Sequence, residues 1–341
     1  MKIIILKRDK LGDLLISTPA LQMLRELLPH ATISVVAPSN SSWILKEAPF
    51  IDKLYSYSQS KIFSFKGLNS IFSQIIIFLQ LRFECYDFAI AAGGEYSKQA
   101  VKRLKWIGAK KTISFVPLNK SDAAISYSLN EPKKNNKGPH ECERIIELLK
   151  PLISHKKKIA IPDVWFQPPA EWISKALSYL KKNKLTPKGY IIFGLGARRE
   201  KKQASKTQII ETAKYAYQRH GLVTILVWTP GNKNNKNYPG DDNLAEEILK
   251  DAPSHIFPLR APLDLTIGII WLAKKSIFPD SGLMHFAAAS PSGVIGLFAD
   301  TEISPHPKRW GPLGKNSCYL EAKRNIKDLG NNFLHKKIDL L

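Results

Sequence analysis

The sequence predicts an α/β protein built of two similar halves, each a parallel sheet with crossover helices, and three observations carry that reading. Short apolar or β-branched runs alternate with stretches of helical period along nearly the whole chain. A polar, proline-punctuated segment near the middle, with the 156–158 lysine run, Pro162 and Pro168-Pro169, interrupts the alternation before it resumes. Two segments of the second half turn from an apolar run into a helix through glycine and polar residues. These place an N-terminal domain at 1–165 and a C-terminal domain at 166–341, with the last helix free to pack back on the first domain. A length of 341 residues allows two full cores.

Taken in order, Lys2-Ile3-Ile4-Ile5-Leu6 reads as a buried strand and residues 7–13 as the loop after it. Leu14, Leu15, Leu21, Leu24 and Leu27 then recur at helical intervals until Pro29. Strands follow at 32–37, 52–57, 88–91 and 112–115, with helices around 71–81 and 98–106 between them and another at 140–149. In the second half the order is helix near 171–182, strand 190–193, helix near 207–218, strand 222–228, a polar insertion at 232–242 and a helix to residue 250. Segment 255–259, a helix over 264–274, a short strand before Pro279, an Ala-rich helix and a strand at 293–298 complete it. Ligands on such sheets bind at the carboxyl ends of strands, so two sets of strand-end loops are expected to line one cleft.

Composition narrows the partners. Fifty-one Lys and Arg against 29 Asp and Glu give a net charge of +22, which favours anionic partners: nucleic acid, an acidic membrane surface or phosphorylated substrates. A hydrophobic content of 44% excludes a disordered chain. Three widely spaced cysteines, Cys85, Cys142 and Cys318, have no metal spacing and suit a reducing compartment. The chain starts directly with a strand, without a signal-peptide pattern, and its greasiest stretch, 71–81, contains Ser73, Gln74 and Gln80. A soluble protein is expected.

The chemistry concentrates at Pro279-Asp280-Ser281-Gly282-Leu283-Met284-His285. A strand-to-helix turn there leaves backbone N–H groups without partners at the positive end of a helix dipole, where an anion fits. Gly282 lacks the Cβ that would hold a phosphate away, Ser281 adds a hydroxyl, and His285 can add a ring N–H. An ordinary N-cap followed by a satisfied histidine accounts for the same heptapeptide. The second loop, Gly194-Leu195-Gly196-Ala197-Arg198-Arg199-Glu200-Lys201-Lys202, has Arg199 where a dinucleotide fingerprint needs its third glycine. Two such clamps suit a diphosphate held without metal. Asp13, beside Gly12 at the first strand-to-helix turn, is placed as a base for an attacking hydroxyl, or as the N-cap of the helix from Leu14.

These motifs together resemble the bacterial glycosyltransferase family 9 heptosyltransferases of lipopolysaccharide core assembly, over nearly the whole chain. The family's N-terminal mark is similar to Arg8, Leu11-Gly12-Asp13 and Thr18-Pro19-Ala20-Leu21. Its Tyr-Asp before a central strand resembles Tyr86-Asp87, and its Arg and Lys loop resembles Arg198 with Lys201-Lys202. Its Asp-Thr-Gly-x-x-His, later Phe and Thr, and closing Gly-Pro-x-Gly resemble Asp280 to His285, Phe298, Thr301 and Gly311-Pro312-Leu313-Gly314. The resemblance implies a GT-B fold, two Rossmann-like domains facing across a cleft, and inverting, metal-independent transfer with no cofactor. The implied donor is a nucleotide sugar, typically ADP-heptose, and the implied acceptor a lipid A-linked core oligosaccharide, at the cytoplasmic face of the inner membrane. Asp13 would be the catalytic base. Lys201, Ser281, Gly282 and His285 would hold the diphosphate and Asp280 would fix the turn, with Gly12, Arg198, Leu283 and Ala261 completing the donor site. Ala261 lies in Arg260-Ala261-Pro262-Leu263, which resembles the adenine-lining stretch. Arg8, Lys10 and Lys61, with Lys66, would meet acidic acceptor sugars, although a solvated charge face is the commoner explanation of such residues.

The sequence departs from the family at three places. Ser281 stands for Thr, and Ala299-Asp300 for Gly-Pro. After Trp228-Thr229-Pro230-Gly231 come Asn232 and Lys233 in place of the acid expected to contact the donor ribose; the nearest acids, Asp241 and Asp242, lie beyond an insertion. A related transferase using a hexose or N-acetylhexosamine donor is the alternative, and a basic nucleic-acid-binding protein or an oxidoreductase the distant ones, neither with a recognition motif.

Overall fold

The computed structural model describes residues 1–8, 10–58, 65–131, 138–153, 155, 159–196, 199–232, 234, 240–300, 302 and 306–340, the segment 65–71 by its backbone alone. The chain divides into two compact units, Met1–Gln167 and Pro168–Leu341.

Among the described residues the first unit holds six strands: β1 (Lys2–Leu6), β2 (Thr32–Pro38), β3 (Lys53–Tyr57), β4 (Phe88–Ala91), β5 (Lys111–Val116) and β6 (Tyr127–Asn130). Its helices are α1 (Leu11–Ile16), α2 (Thr18–Leu27), α3 (Phe65–Phe83), α4 (Lys98–Ile107) and α5 (Glu141–Ile153). All pairings are parallel, in the order β3-β2-β1-β4-β5-β6. The second unit has β7 (Tyr190–Gly194), β8 (Val223–Val227), β9 (Ile256–Leu259), β10 (Lys275–Pro279), β11 (Val294–Ala299) and β12 (Cys318–Ala322). Its helices are α6 (Ala170–Lys182), α7 (Lys206–His220), α8 (Asp242–Lys250), α9 (Leu263–Leu272), α10 (Gly282–Ala289), the short α11 (Pro307–Trp310) and α12 (Asn331–Ile338). These strands too are all parallel, in the order β12-β11-β10-β7-β8-β9.

Counted from the first strand of each unit, both orders are 3-2-1-4-5-6. Winding therefore reverses between β1 and β4, and again between β7 and β10, and ligands of doubly wound sheets bind at the strand ends beside such reversals. β1 and β7 are apolar on both faces because helices cover both: Ile3 to Leu6 and Tyr190 to Phe193 are at most 1% exposed. Gly194, the last residue of β7, lies against the Phe278 ring of β10, which an added Cβ would meet at 2.1 Å. The reversal in the second unit is thus closed by a glycine on one strand and an aromatic on the other.

Three features differ from the sequence expectation. The run from Leu14 to Pro29 is two helices, not one. Ser17 Oγ turns back to the Leu14 carbonyl (2.6 Å) and Thr18 Oγ1 to that of Leu15 (2.7 Å), closing α1 after six residues. Pro19, with no N–H to give, fits the first turn of α2. Thr18 Oγ1 also accepts the Trp165 N–H at 2.8 Å, so Thr18-Pro19 is a structural joint. Strands β6 and β12 were not expected; each lies at a sheet edge with alternating burial and no continuous apolar run. The last helix, α12, places Leu334 and Ile338 in the core of the second unit, packed on α7, where the sequence reading had allowed packing on the first domain.

Candidate active site

The turn from β10 into α10 is built as an open helix terminus. Asp280 leaves the sheet with its N–H on the Leu297 carbonyl at 3.0 Å. Ser281, in extended conformation, occupies the N-cap position but makes no side-chain capping bond, and its Oγ is buried with no partner among the described residues. A buried hydroxyl without a partner costs about 1–3 kcal/mol, so the site holds an unspent donor. The first N–H groups of α10, Gly282 and Leu283, have no carbonyl one turn earlier within the helix. Gly282 is exposed, and apart from its chain neighbours and the helix backbone no atom of the described residues lies within 4 Å of where its Cβ would stand. That space lies over the positive end of the helix. Leu283 is half-buried, and His285 is 5% exposed, on the fourth residue of the helix.

Cations reach the same strand ends from the loop after β7. Glu200–Lys202 forms one 3-10 turn, and α7 starts only at Lys206, so the glycine loop does not open directly into a helix as the sequence suggested. Lys202, 9% exposed, is ion-paired with Asp280. Lys201 is paired with Asp300 at 2.7 Å, at the end of β11. Asp300 has φ +46, a left-handed conformation that aspartate tolerates better than most residues. Two lysines are thus each ion-paired with a carboxylate at the end of β10 or β11, a group that phosphate oxygens can replace.

The insertion after β8 is closed at its base. Asp241 N–H bonds the Thr229 carbonyl (2.8 Å), Gly240 N–H that of Asn232 (3.2 Å), and Asp242 N–H that of Gly231 (3.2 Å). Gly231 has φ +120, and a Cβ on Gly240 would meet its carbonyl oxygen at 2.2 Å, so two glycines permit the closure. Asp241 and Asp242, read from the sequence as lying beyond an insertion, therefore sit at the exit of β8. Asp242 accepts from Trp228 Nε1 (2.7 Å), Gly231 N–H (2.9 Å), and Arg260 Nε and Nη2 (3.1 and 3.2 Å). The Arg260 bonds above all, then those of Trp228 and Gly231, hold its carboxyl down at about 2. Asp241 accepts from Gln203 Nε2 at 2.9 Å, and its burial pushes its carboxyl up to about 6. Ala261, half-buried, follows β9 and leads through Pro262 into α9; its carbonyl lies 3.4 Å from Thr266 Oγ1.

In the first unit the strand-end set follows β1. Lys7 is buried, with Nζ on the Ala92 carbonyl beyond β4 (2.6 Å) and its own carbonyl taken by Tyr57 OH (3.1 Å). The Arg8 guanidinium bonds Ser97 Oγ and Gln99 Oε1 at the start of α4, and its Nε is buried without a partner among the described residues. Lys10, exposed, is the N-cap of α1 and makes no side-chain cap. Gly12 is buried and Asp13 half-buried in the first turn of α1. Asp13 is thus inside the helix and is not its N-cap, which corrects the capping alternative.

A family model for glycosyltransferase family 9 (heptosyltransferase) matches residues 77–337 of this chain. The chain belongs to glycosyltransferase family 9. It is similar along its length to solved structures of that kind. One is the glycosyl transferase family 9 structure from Veillonella parvula, with a TM-score of 0.81 at 16% identity over 99% of this chain and 96% of that one. Another is the ADP-heptose lps heptosyltransferase II of E. coli, with a TM-score of 0.73 at 19% identity over 100% and 98%. The E. coli heptosyltransferase WaaC with ADP gives a TM-score of 0.70 at 18% identity over 100% and 99%. A search of curated proteins by sequence returns no match. At these identities the structures establish the GT-B fold, and the family makes the protein a glycosyltransferase.

Within this family member the second unit brings together, at one sheet end, Lys201, Lys202, Asp280, Ser281, Gly282 and Asp300. Lys202 and Asp300 were not assigned a site role from the sequence; the signal for Lys202 is its place next to Lys201, and for Asp300 only the change from the family's proline. Arg198, Lys61 and Thr301 lie outside the described residues, as does the side chain of Lys66. Among the described residues no group of three or more His, Cys, Asp and Glu is placed to hold a metal ion, and no helix is long and apolar enough to cross a membrane.

Proposed function

We propose that the protein transfers a heptose from ADP-heptose to the lipid A-linked inner core of lipopolysaccharide, with inversion and without a metal ion, as a peripheral protein of the cytoplasmic face of the inner membrane. The observation that carries the reading is the open terminus of α10: among the described residues, a buried, unpartnered Ser281 hydroxyl and free space over Gly282, with two lysines alongside. Such a site fits a diphosphate, and charge building on a departing ADP is stabilised by preorganised N–H and cationic donors. The ADP and ADP-2-deoxy-2-fluoro heptose named with the E. coli enzyme of the same fold support an adenine nucleotide donor.

In the proposed reaction Asp13 takes the proton of an acceptor hydroxyl as its oxygen bonds the anomeric carbon. The bond from that carbon to the diphosphate breaks, and ADP leaves with the electron pair. A single displacement needs one base and inverts the configuration. Arg198 and Lys201 with Ser281, Gly282, Leu283 and His285 are assigned to the diphosphate, Gly12 to the donor site and Ala261 to the border of the adenine. Asp242 is saturated by four donors. Its neighbour Asp241 is the acid we assign to the donor ribose. Arg8, Lys10 and Lys61 are assigned to acidic groups of the acceptor.

The test is the Asp13→Asn variant, with transfer followed by mass spectrometry of the product and donor affinity by calorimetry. Loss of a catalytic base is expected to lower turnover about 100- to 10,000-fold while ADP affinity stays within a few fold. Retained turnover rejects the base assignment. A chelator is expected to leave the rate unchanged. A panel of ADP-heptose, UDP-hexose and UDP-N-acetylhexosamine in the same calorimeter is expected to select the first, and preferential binding of a uridine nucleotide overturns the donor.

A further inference from the structure

Away from both strand-end clusters, α3 carries a stripe that the fold leaves uncovered. Phe72, Ile75, Ile76, Leu79 and Phe83 recur at three- and four-residue intervals on one side of the helix and are 64%, 43%, 64%, 50% and 82% exposed. The opposite side is already used: Phe78 and Leu81 are buried with Tyr57 and Tyr86 in the core of the first unit. Single exposed apolar residues are ordinary, whereas a contiguous stripe of large ones marks an interaction surface. The neighbouring α4 extends it with Trp106, 41% exposed, whose ring meets Phe78 edge-on at 5.6 Å.

The charge on the two helices has one sign. α3 and α4 contain no Asp or Glu, and Arg82, Lys98, Lys102 and Lys105 are exposed on them. Lys102 Nζ stands 5.3 Å from the centre of the Trp106 ring. Glu84, the first acid after α3, is taken up by Lys53 (2.8 Å) and Tyr55 (3.0 Å). A second copy of the chain meeting this face by twofold symmetry would set lysine against lysine. An anionic lipid surface meets both requirements: its acyl boundary receives the apolar stripe, and its phosphates receive the lysines beside an indole ring at the interface.

We propose that the α3–α4 face of the first unit is the membrane-docking surface, with α3 lying along an anionic bilayer and Lys98, Lys102 and Lys105 over its phosphates. The inference rests on the peripheral-membrane reading above and gives that reading a location. It implies that the lipid anchor of the acceptor reaches the enzyme in the plane on which the first unit is seated.

The test is flotation of the full-length protein with vesicles of phosphatidylethanolamine and phosphatidylglycerol, and with vesicles of phosphatidylcholine alone. Strong binding to the first, weak binding to the second, and release by salt are expected. Ile76→Ser with Phe83→Ser removes two of the most exposed apolar side chains and is expected to lower the partition coefficient on the order of a hundredfold. Lys102→Glu with Lys105→Glu is expected to lower it about tenfold or more at low salt, through a change that leaves the stripe intact. Equal binding of both variants and the unaltered protein overturns the proposal, as does equal binding to the two kinds of vesicle. So does a dimer in sedimentation that the Ile76→Ser/Phe83→Ser variant dissolves, which would make a second copy the occupant. Donor affinity is measured in parallel. If vesicle binding fails while ADP-heptose binds, the docking surface falls alone; if vesicles bind and no ADP nucleotide does, the function above falls and the surface stands.

Discussion

At the scale of the residue, the Ser281 hydroxyl is buried and has no partner among the described residues. Its removal therefore has opposite consequences for folding and for binding. Ser281→Ala gives up no capping bond and relieves an unpartnered polar group, so the melting temperature is expected to stay level or rise slightly. In the proposed site the same change would remove a charge-assisted bond to phosphate, and ADP affinity is expected to fall about tenfold or more by calorimetry. Gly282→Ala is expected to behave alike, since apart from chain neighbours and the helix backbone its Cβ meets no atom of the described residues within 4 Å and would enter the space we assign to the anion. A substantial loss of stability with unchanged ADP affinity in either variant contradicts this account of the site. Asp241 gives a pH-dependent counterpart. Its carboxyl titrates at about 6 in the folded chain against an ordinary 3.8, so between those values the folded state binds more protons than the unfolded one. Its contribution to stability thus falls as pH rises from about 4 to 6 and is constant above. Asp241→Asn keeps an acceptor for Gln203 and loses the charge; the variant is expected to gain on the unaltered protein across that window, reaching about 2–3 kcal/mol. Melting curves from pH 4 to 8 check it, and a difference that shrinks with rising pH has the wrong sign. The uncapped helix terminus at Ser281 and Gly282, to which we assign the anion, was legible from one short stretch because strand, glycine and Ala-rich helix are adjacent there. The placement of Asp241 was not, because it depends on backbone bonds from Thr229 and Gly231 to residues 11 or 12 positions later, which local pattern does not encode.

At the scale of the element, what could be read depended on burial. β1, β2, β7, β10 and β11 are covered by helices on both faces and show as apolar runs. β6 and β12, edge strands with alternate residues outward, carry Tyr-Ser-Leu-Asn and Cys-Tyr-Leu-Glu-Ala, which no run of apolar residues marks. The break at Ser17 escaped the helical period because α1 and α2 keep their buried residues in step on either side of it. The element most altered by ligand is expected to be the 3-10 turn Glu200–Lys202. Its two lysines are each paired with a carboxylate, and a diphosphate bound as proposed would compete with Asp300 for Lys201. Asp300→Asn keeps the size of the side chain and removes the competing charge. ADP affinity is expected to rise about fivefold at low salt, the equivalent of one partly exposed ion pair, and the gain is expected to shrink as salt is raised. Weaker ADP binding in this variant would show instead that Asp300 helps to position Lys201 for the phosphate.

At the scale of the whole molecule, two units with the same 3-2-1-4-5-6 order carry their own cores and their own strand-end sets. One core cluster of the second unit is drawn, among the described residues, from β7, β8, β10 and β11 packed with α7, and Ile326, Leu334 and Ile338 close it. Its reversal between β7 and β10 holds Lys201, Lys202, Asp280, Ser281 and Gly282, and the returning acids at the exit of β8 lie within the same unit. A chain of this size, with helices on both faces of a six-stranded sheet, buries enough apolar surface to fold alone. Residues 168–341 expressed by themselves are therefore expected to unfold cooperatively and to bind ADP within about tenfold of the full chain, since an affinity ratio of ten corresponds to about 1.4 kcal/mol of contacts supplied elsewhere. Circular dichroism melting and calorimetry measure both. A folded fragment that does not bind ADP moves the donor site away from the terminus of α10, while a fragment that binds ADP but transfers no sugar to acceptor leaves the catalytic base with residues 1–167, where Asp13 is.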